Sequence, residues 1–295
     1  MNNKIVFIIN PIAGKGKGSS VAAEIRSFFA GKNIETEIYL TEKPGHATEL
    51  AAAALKFHPG VIVACGGDGT INEIARQLTG TETALGIIPI GSGNGLAAHL
   101  TIPKKTSDAM RTILCFNSSR IDAGIINGAY FFSNIGFGID AETIFHYSRK
   151  KQRNFIGYLS AGIKAALCFR PKKFKVTING FEKPENAYYF LFCSNSNEAG
   201  YGISFSPQAK LNDGKLDLLM IKKLNFIRQL KFSFCVLNKS VERLREAEII
   251  RVQSVKLQSE NAHILAQIDG EAVFLDQGNI EISVAPKALK VLIPT

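Results

Sequence analysis

Three times before residue 100 a short apolar run stops at a glycine-rich turn. Asn10-Pro11-Ile12-Ala13-Gly14-Lys15-Gly16-Lys17-Gly18-Ser19 follows the run at 5–9, Gly66-Gly67-Asp68-Gly69-Thr70 follows 61–65, and Gly91-Ser92-Gly93-Asn94-Gly95 follows 85–90. A run such as VIVAC shows no polar alternation, which suits a strand covered on both faces, as in a parallel sheet. Between the runs, and beside a further strand at 37–40, segments 19–30, 47–57 and 71–78 are rich in Ala, Leu and Glu with apolar residues at helical spacing. This β-α-β-α order predicts an α/β layered domain over 1–122. All three turns should open at the C-terminal edge of its strands, where open α/β sheets bind ligands. Glycine there lets backbone N–H groups approach a phosphate, and the positive end of each following helix adds a favourable field.

After Arg120 the pattern shifts to β-branched and aromatic runs at 121–126, 130–134, 174–178, 187–193, 216–221, 249–257, 263–268 and 280–284. Asn127-Gly128, Asn179-Gly180 and Asp213-Gly214 are hairpin signals, so a mostly antiparallel β domain is predicted over 123–289. Helices should interrupt it at 141–169, broken near Gly157, and at 226–237, and 290–295 should return to the first domain. With 295 residues, 46% of them hydrophobic, the chain suits two cores rather than one and is too apolar for disorder. The predicted fold class is therefore α/β with two domains and an active site in the cleft between them.

Five cysteines, Cys65, Cys115, Cys168, Cys193 and Cys235, form no C-x-x-C pair and are odd in number, which argues against a disulfide framework or thiolate zinc site and for a reducing cytoplasm. The N-terminal run ends at Asn10-Pro11, too short for a signal sequence, and no 18-residue apolar stretch lacks charge. His46, His58, His99, His146 and His263 show no metal-binding spacing.

The charge is concentrated. Between 143 and 181 lie nine basic residues, Arg149, Lys150, Lys151, Arg153, Lys164, Arg170, Lys172, Lys173 and Lys175, and no acidic one; the rest of the chain holds 26 basic and 25 acidic residues. This reads either as a solvated basic face or as a surface for an anionic partner, phospholipid or nucleic acid. Phe226, Ile227, Leu230, Phe234 and Leu237, with Lys222, Lys223, Arg228 and Lys231, read either as an interfacial helix or as one packed on the sheet.

None of the glycine turns has Walker or G-x-G-x-x-G spacing, and the hydrolase elbow, H-E-x-x-H and protein-kinase signatures are absent. Thr70 with Glu73 reads as a capping box for the helix at 71–78. Asp68 reads as an Asx turn, a cation ligand, or a group that orients donors at a triphosphate. Asp269-Gly270-Glu271 closes another apolar run. Local sequence makes it a tight hairpin turn, yet Asp269 at a strand tip also suits a base that accepts a substrate hydroxyl proton.

In order along the chain stand Asn10-Pro11 with its glycines, GGDGT-INE at 66–73, GSGNGLA at 91–97, GFGIDAE at 136–142, LNDGKLDL at 211–218 and DGE at 269–271. This succession resembles the diacylglycerol kinase catalytic-domain family, which includes soluble bacterial lipid kinases and diacylglycerol, sphingosine and ceramide kinases. The resemblance covers almost the whole chain. It implies ATP bound by Asn10, Pro11, Gly14, Thr41, Gly66, Gly67, Asp68, Gly69, Thr70, Glu73, Ser92 and Asn94, with Glu271 beside them. It further implies a catalytic role for Asp68, Asp269 as catalytic base, Asp140 at the lipid head group, and Mg²⁺ held by Asn212, Asp213, Lys215 and Asp217.

Gly95 stands where many diacylglycerol kinases carry an acidic residue, and G-S-G-N followed by a small residue is closer to sphingosine and ceramide kinases. NAD kinases share GGDGT but generally lack the following x-N-E, the GSGN loop and the terminal DGE. The expected protein is thus a cytoplasmic, ATP-dependent lipid kinase that visits the inner membrane face, peripherally bound at an anionic surface. A homodimer is left open and no nucleic acid is expected. An NAD kinase and a nucleic-acid-binding module are the competing readings.

Overall fold

The computed structural model describes residues 4–150, 155–200, 202–222 and 224–295. Lys151 and Arg153 of the basic stretch, and Lys223, lie outside the described residues. The chain divides into two compact units, Met1–Ile121 with Lys287–Thr295, and Asp122–Pro286.

The first unit contains β1 (Lys4–Ile9), a single turn α1 (Ala13–Gly16), α2 (Gly18–Phe29), β2 (Glu35–Leu40), α3 (His46–Leu55), β3 (Val61–Gly66), α4 (Asp68–Leu78), β4 (Ala84–Pro89), α5 (Gly95–His99) and α6 (Thr106–Leu114). Its parallel strands run in the order β2-β1-β3-β4. β3 and β4 are buried along their whole length whereas β2, at the edge, is half exposed. The difference follows the sequence, since ETEIYL carries polar residues that an interior strand covered by helices could not hydrate. Helix α2 covers the sheet with Val21, Ile25 and Phe29, spaced by four, and Phe29 meets Phe7 of β1.

The second unit contains most of β5 (Ser118–Ile126), then β6 (Ala129–Phe131), β7 (Asn134–Gly138), α7 (Ile139–Ser148), α8 (Phe155–Cys168), β8 (Lys172–Ile178), β9 (Phe181–Glu182), β10 (Asn186–Ser194), β11 (Leu216–Lys222), α9 (Phe226–Leu237), β12 (Ala247–Val252), β13 (Ser254–Gln258), β14 (Ile264–Ile268), β15 (Glu271–Leu275) and the first part of β16 (Asn279–Leu292). Its pairings are antiparallel, with Cys193 of β10 opposite Leu218 of β11 and Ile135 of β7. Alternation along β10 splits the core in two. Leu191 and Cys193 join Val176, Leu257 and Ile280 in a sheet-on-sheet layer, while Phe190 and Phe192 face a layer covered by Ala165 of α8 and by Phe232 and Cys235 of α9.

Four expectations shift. The 130–134 strand is two strands, broken where the N–H groups of Phe132 and Ser133 turn to a side chain described below. The 141–169 helix is not continuous: α7 ends at Ser148, and Gly157 lies inside α8. Asp213-Gly214 is not a hairpin turn between strands, because the Gly214 N–H is taken by Asp122 Oδ2 at 2.7 Å. The runs at 280–284 and 290–293 belong to one strand, β16, which pairs with β13 in the second unit and reaches β4 in the first through Val291 opposite Leu85. Asn127-Gly128 and Asn179-Gly180 do form the expected turns, each with positive φ at both residues. Among the described residues no helix is long and apolar enough to cross a membrane.

Candidate active site

In the first unit the three glycine turns stand beyond the C-terminal ends of β1, β3 and β4, and they touch. A Cβ on Gly91 would fall 2.4 Å from Gly67 Cα, and one on Gly14 2.6 Å from the Ile90 carbonyl oxygen. Glycine is therefore required first by backbone packing between turns. Asn10 ties the first turn to the second, with Nδ2 donating to Thr70 Oγ1 at 3.4 Å and Oδ1 accepting the Ile12 N–H. Thr41 continues the β1–β2 ladder, its N–H on the Ile9 carbonyl.

Asp68 joins the second turn to the third. Oδ2 accepts the Asn94 N–H at 2.7 Å and Oδ1 the Gly95 N–H at 2.8 Å. Burial raises its carboxyl pKa, and these N–H groups oppose the rise. Through these contacts the aspartate shapes the Gly91–Gly95 loop. Asn94 adopts a left-handed backbone and donates Nδ2 to the Gly91 carbonyl, while its buried Oδ1 has no partner. That orphan acceptor suits a hydroxyl, amino group or water brought by a ligand. Helix α4 starts at Asp68 with no side-chain N-cap hydrogen bond, and the Asp68 carboxylate lies in its first turn. Pro11 and Ser92 lie in the first and third turns, and Gly66 and Gly69 in the second.

The capping box expected for Thr70 and Glu73 is not formed. The helix begins three residues earlier than expected, Thr70 is buried against Asn10, and Glu73 reaches across to α3, accepting the Gly45 and Ala47 N–H groups at 3.1 Å each. Glu73 thus caps a different helix from its own.

In the second unit Asp269 opens a two-residue turn between β14 and β15, with φ of 49° followed by 84° at Gly270. The local hairpin reading holds, but its side chain turns inward, 8% exposed. Oδ1 accepts from the N–H groups of Ser133 (2.7 Å), Asn134 (3.1 Å) and Phe132 (3.2 Å), and Oδ2 accepts from Phe132 at 3.0 Å. The Asp269 N–H returns to the Asn134 carbonyl at 2.8 Å. A turn needs none of these three donors. They fix the carboxylate in one orientation.

Asp140, at the start of α7, shares this corner. It is 5% exposed, and burial pushes its carboxyl up to about 7 against a hydrogen bond from Gln267 that lowers it; Oδ2 is buried without a partner. Gln267 Nε2 also reaches Asn134 Oδ1 at 2.8 Å, and its Oε1 accepts the Gly270 N–H. Sequence pattern alone does not single out Gln267 and Asn134. The available signal was an amide inside the otherwise apolar ILAQI, since a buried amide must find partners. Glu271, paired with Ile268, is exposed at the start of β15.

In the 211–218 segment burial raises the Asp217 pKa, Arg251 at 3.6 Å opposes the rise, and the charge of Asp213 adds to it. Asp213 Oδ1 accepts the Lys215 N–H, and Asn212 is exposed. Among the described residues no group of three or more His, Cys, Asp or Glu could hold a metal. Two carboxylates and the Lys215 carbonyl nonetheless fit the hard-oxygen chemistry of a Mg²⁺ that keeps several waters.

Residues 4–126 match the family model described as "Diacylglycerol kinase catalytic domain" and residues 133–293 that of the "YegS C-terminal NAD kinase beta sandwich-like domain". A "Diacylglycerol kinase" of Bacillus subtilis is 27% identical over 95% of this chain and 86% of its own, and a "Probable lipid kinase YegS-like" of Chromohalobacter salexigens is 30% identical over 90% and 85%. A crystal structure of a diacylglycerol kinase from Bacillus anthracis superimposes with a TM-score of 0.80 at 23% identity, covering 99% of this chain and 97% of that one. Yeast NADH kinase complexed with NADH shares the fold more distantly, with a TM-score of 0.58 at 10% identity over 99% and 84%.

Proposed function

Because the chain belongs to the diacylglycerol kinase catalytic-domain family, we propose that it transfers the γ-phosphoryl group of ATP to the hydroxyl of a membrane lipid, diacylglycerol first among them. ATP, when bound, supplies the phosphoryl group, and Mg²⁺ offsets the charge on its phosphates. The turns of the first unit hold the nucleotide: Asn94 Oδ1 takes a donor, and Asp68 keeps the third turn in shape. Asp269 accepts the proton of the lipid hydroxyl as that oxygen attacks phosphorus. Asp140 and Gln267 orient the lipid head group, and Asp213, Asp217 and the Lys215 carbonyl would hold a structural Mg²⁺. Most of the acceleration then comes from positioning and charge neutralisation.

The observation that carries this reading is the buried Asp269 carboxylate gripped by three consecutive backbone N–H groups, an arrangement a hairpin turn does not require. Asp269→Asn should leave ATP binding intact and lower kcat by about 10²–10⁴, the usual contribution of a general base. Retained kcat would remove Asp269 from that role. Labelled ATP offered with diacylglycerol, sphingosine and NAD separates the acceptors. The Gly91–Gly95 sequence keeps the sphingoid arm in the experiment, and labelling of NAD alone would refute the lipid reading. We further place the protein at the inner face of the membrane, held by its basic stretch.

A further inference from the structure

Between the end of β6 at Phe131 and the start of β7 at Asn134 the chain leaves its ladder, and one side of this break is the cradle of N–H groups around Asp269. The other side must be satisfied too, since Phe132 and Ser133 are buried and an unpaired buried carbonyl is costly. Both carbonyls turn to the residues that follow β10. Asn195 Nδ2 donates to the Phe132 carbonyl at 2.9 Å, and the N–H groups of Asn195 and Ser196 donate to the Ser133 carbonyl at 2.9 and 3.0 Å.

A trans peptide unit is planar, with the carbonyl of one residue and the N–H of the next on opposite edges. The Phe132 carbonyl is therefore rigidly joined to the Ser133 N–H, which donates to Asp269 Oδ1 at 2.7 Å. The Ser133 carbonyl is likewise joined to the Asn134 N–H, which donates to the same oxygen at 3.1 Å. Whatever grips these two planes from behind also aims two of the three donors that hold the carboxylate.

The side chain at 195 has the chemistry for this grip. It is 1% exposed, and Nδ2 donates at 2.9 Å to the Asp122 carbonyl of β5 as well as to Phe132. An amide nitrogen carries two hydrogens in one plane, so a single group ties β5 to the break. Aspartate would turn an oxygen towards both carbonyls, and leucine would leave both unpaired. Beyond Asp122 the tie continues, because its N–H meets the Leu211 carbonyl at 2.6 Å and its Oδ2 accepts the Gly214 N–H.

We propose that Asn195 is a positioning residue of this site: by holding the Phe132 and Ser133 carbonyls from behind, it aims the peptide N–H groups that fix the Asp269 carboxylate. The proposal deepens the lipid-kinase reading and rests on it for the role of Asp269 as base.

The test measures phosphorylation of dispersed short-chain diacylglycerol by the full chain carrying Asn195→Ala or Asn195→Ser, each alone and combined with Asp269→Asn. Circular dichroism and melting temperature check that each variant is folded. Asn195→Ala should lower kcat by roughly ten-fold or more while the KM for ATP stays within about two-fold, because a misaimed base slows chemistry without touching the nucleotide. Asn195→Ser, which keeps one donor, should lose less. In the Asp269→Asn background the same change should cost less than about two-fold, since residues that act as a unit are not additive. A merely structural defect would multiply the two losses, and that result overturns the proposal, as does an unchanged kcat in Asn195→Ala. Hydrogen exchange on the wild type supplies a reading that needs no variant to fold. The Ser133 and Asn134 amides should exchange within about ten-fold of the Asn195 and Ser196 amides, as parts of one cooperative unit. Exchange at Ser133 and Asn134 faster than that would show that the cradle opens while its supposed support stays closed, and the proposal would fall. If the wild type phosphorylates no lipid, the kinase reading falls, and the exchange rates alone judge whether Asn195 holds the cradle.

Discussion

At the scale of single residues, Asp140 has a consequence that can be titrated. Its folded pKa of about 7 lies above the ordinary 3.8 because burial disfavours the charged form more than the Gln267 hydrogen bond favours it. The native state therefore holds this proton through a range where the unfolded chain has released it. Stability falls as pH rises from about 4 to about 7 and then levels, by at most about 4 kcal/mol. Asp140→Asn should flatten that slope. Melting curves at pH 5 and pH 8 read it directly, and an unchanged slope in the variant would assign the titration elsewhere. Asp269 marks the limit of local reading. Its D-G dipeptide shows where the turn falls, but the donors that hold the carboxylate come from Phe132, Ser133 and Asn134, some 135 positions earlier, and no local pattern encodes such a pairing.

At the scale of elements, strand and helix existence followed hydrophobic period closely, and turn chemistry was legible in Asn127-Gly128 and Asn179-Gly180. What failed was partner choice. Thr70 and Glu73 have capping-box spacing, yet tertiary packing offers Glu73 the bare start of α3 and Thr70 a buried place beside Asn10. Glu73→Ala should lower stability by about 1–2 kcal/mol, with faster hydrogen exchange at the Gly45 and Ala47 amides; a normal exchange rate there would show that the cap contributes nothing. Glycine in these turns gives room for a phosphate, and contact between turns is an equal demand. Gly91→Ala drives a methyl group into Gly67 backbone at 2.4 Å, so a loss of about 1–3 kcal/mol is expected from overpacking. ATP should also raise the melting temperature less than in the wild type, since the displaced turn carries Asn94. An equal ATP-induced shift would separate that turn from nucleotide binding.

At the scale of the molecule, the basic stretch and two-part organisation were visible in composition, whereas which apolar residues of α8 and α9 pack inward is decided only by the core layer they cover. The chain's path also has its own prediction. Leu289, Val291 and Leu292 of β16 are almost wholly buried and belong to the first unit with the segment Lys287–Thr295. Removing 287–295 strips burial worth about 1.5–3 kcal/mol per large side chain, comparable in sum to a domain's whole margin of roughly 5–15 kcal/mol. Limited proteolysis of the truncated chain should cut the first unit and spare the second, and equal resistance of both would contradict this division. During translation the same path imposes an order. A ribosome emits all of the second unit before the segment that completes the first, so the nascent first unit waits for the last part of β16 while its neighbour can already fold.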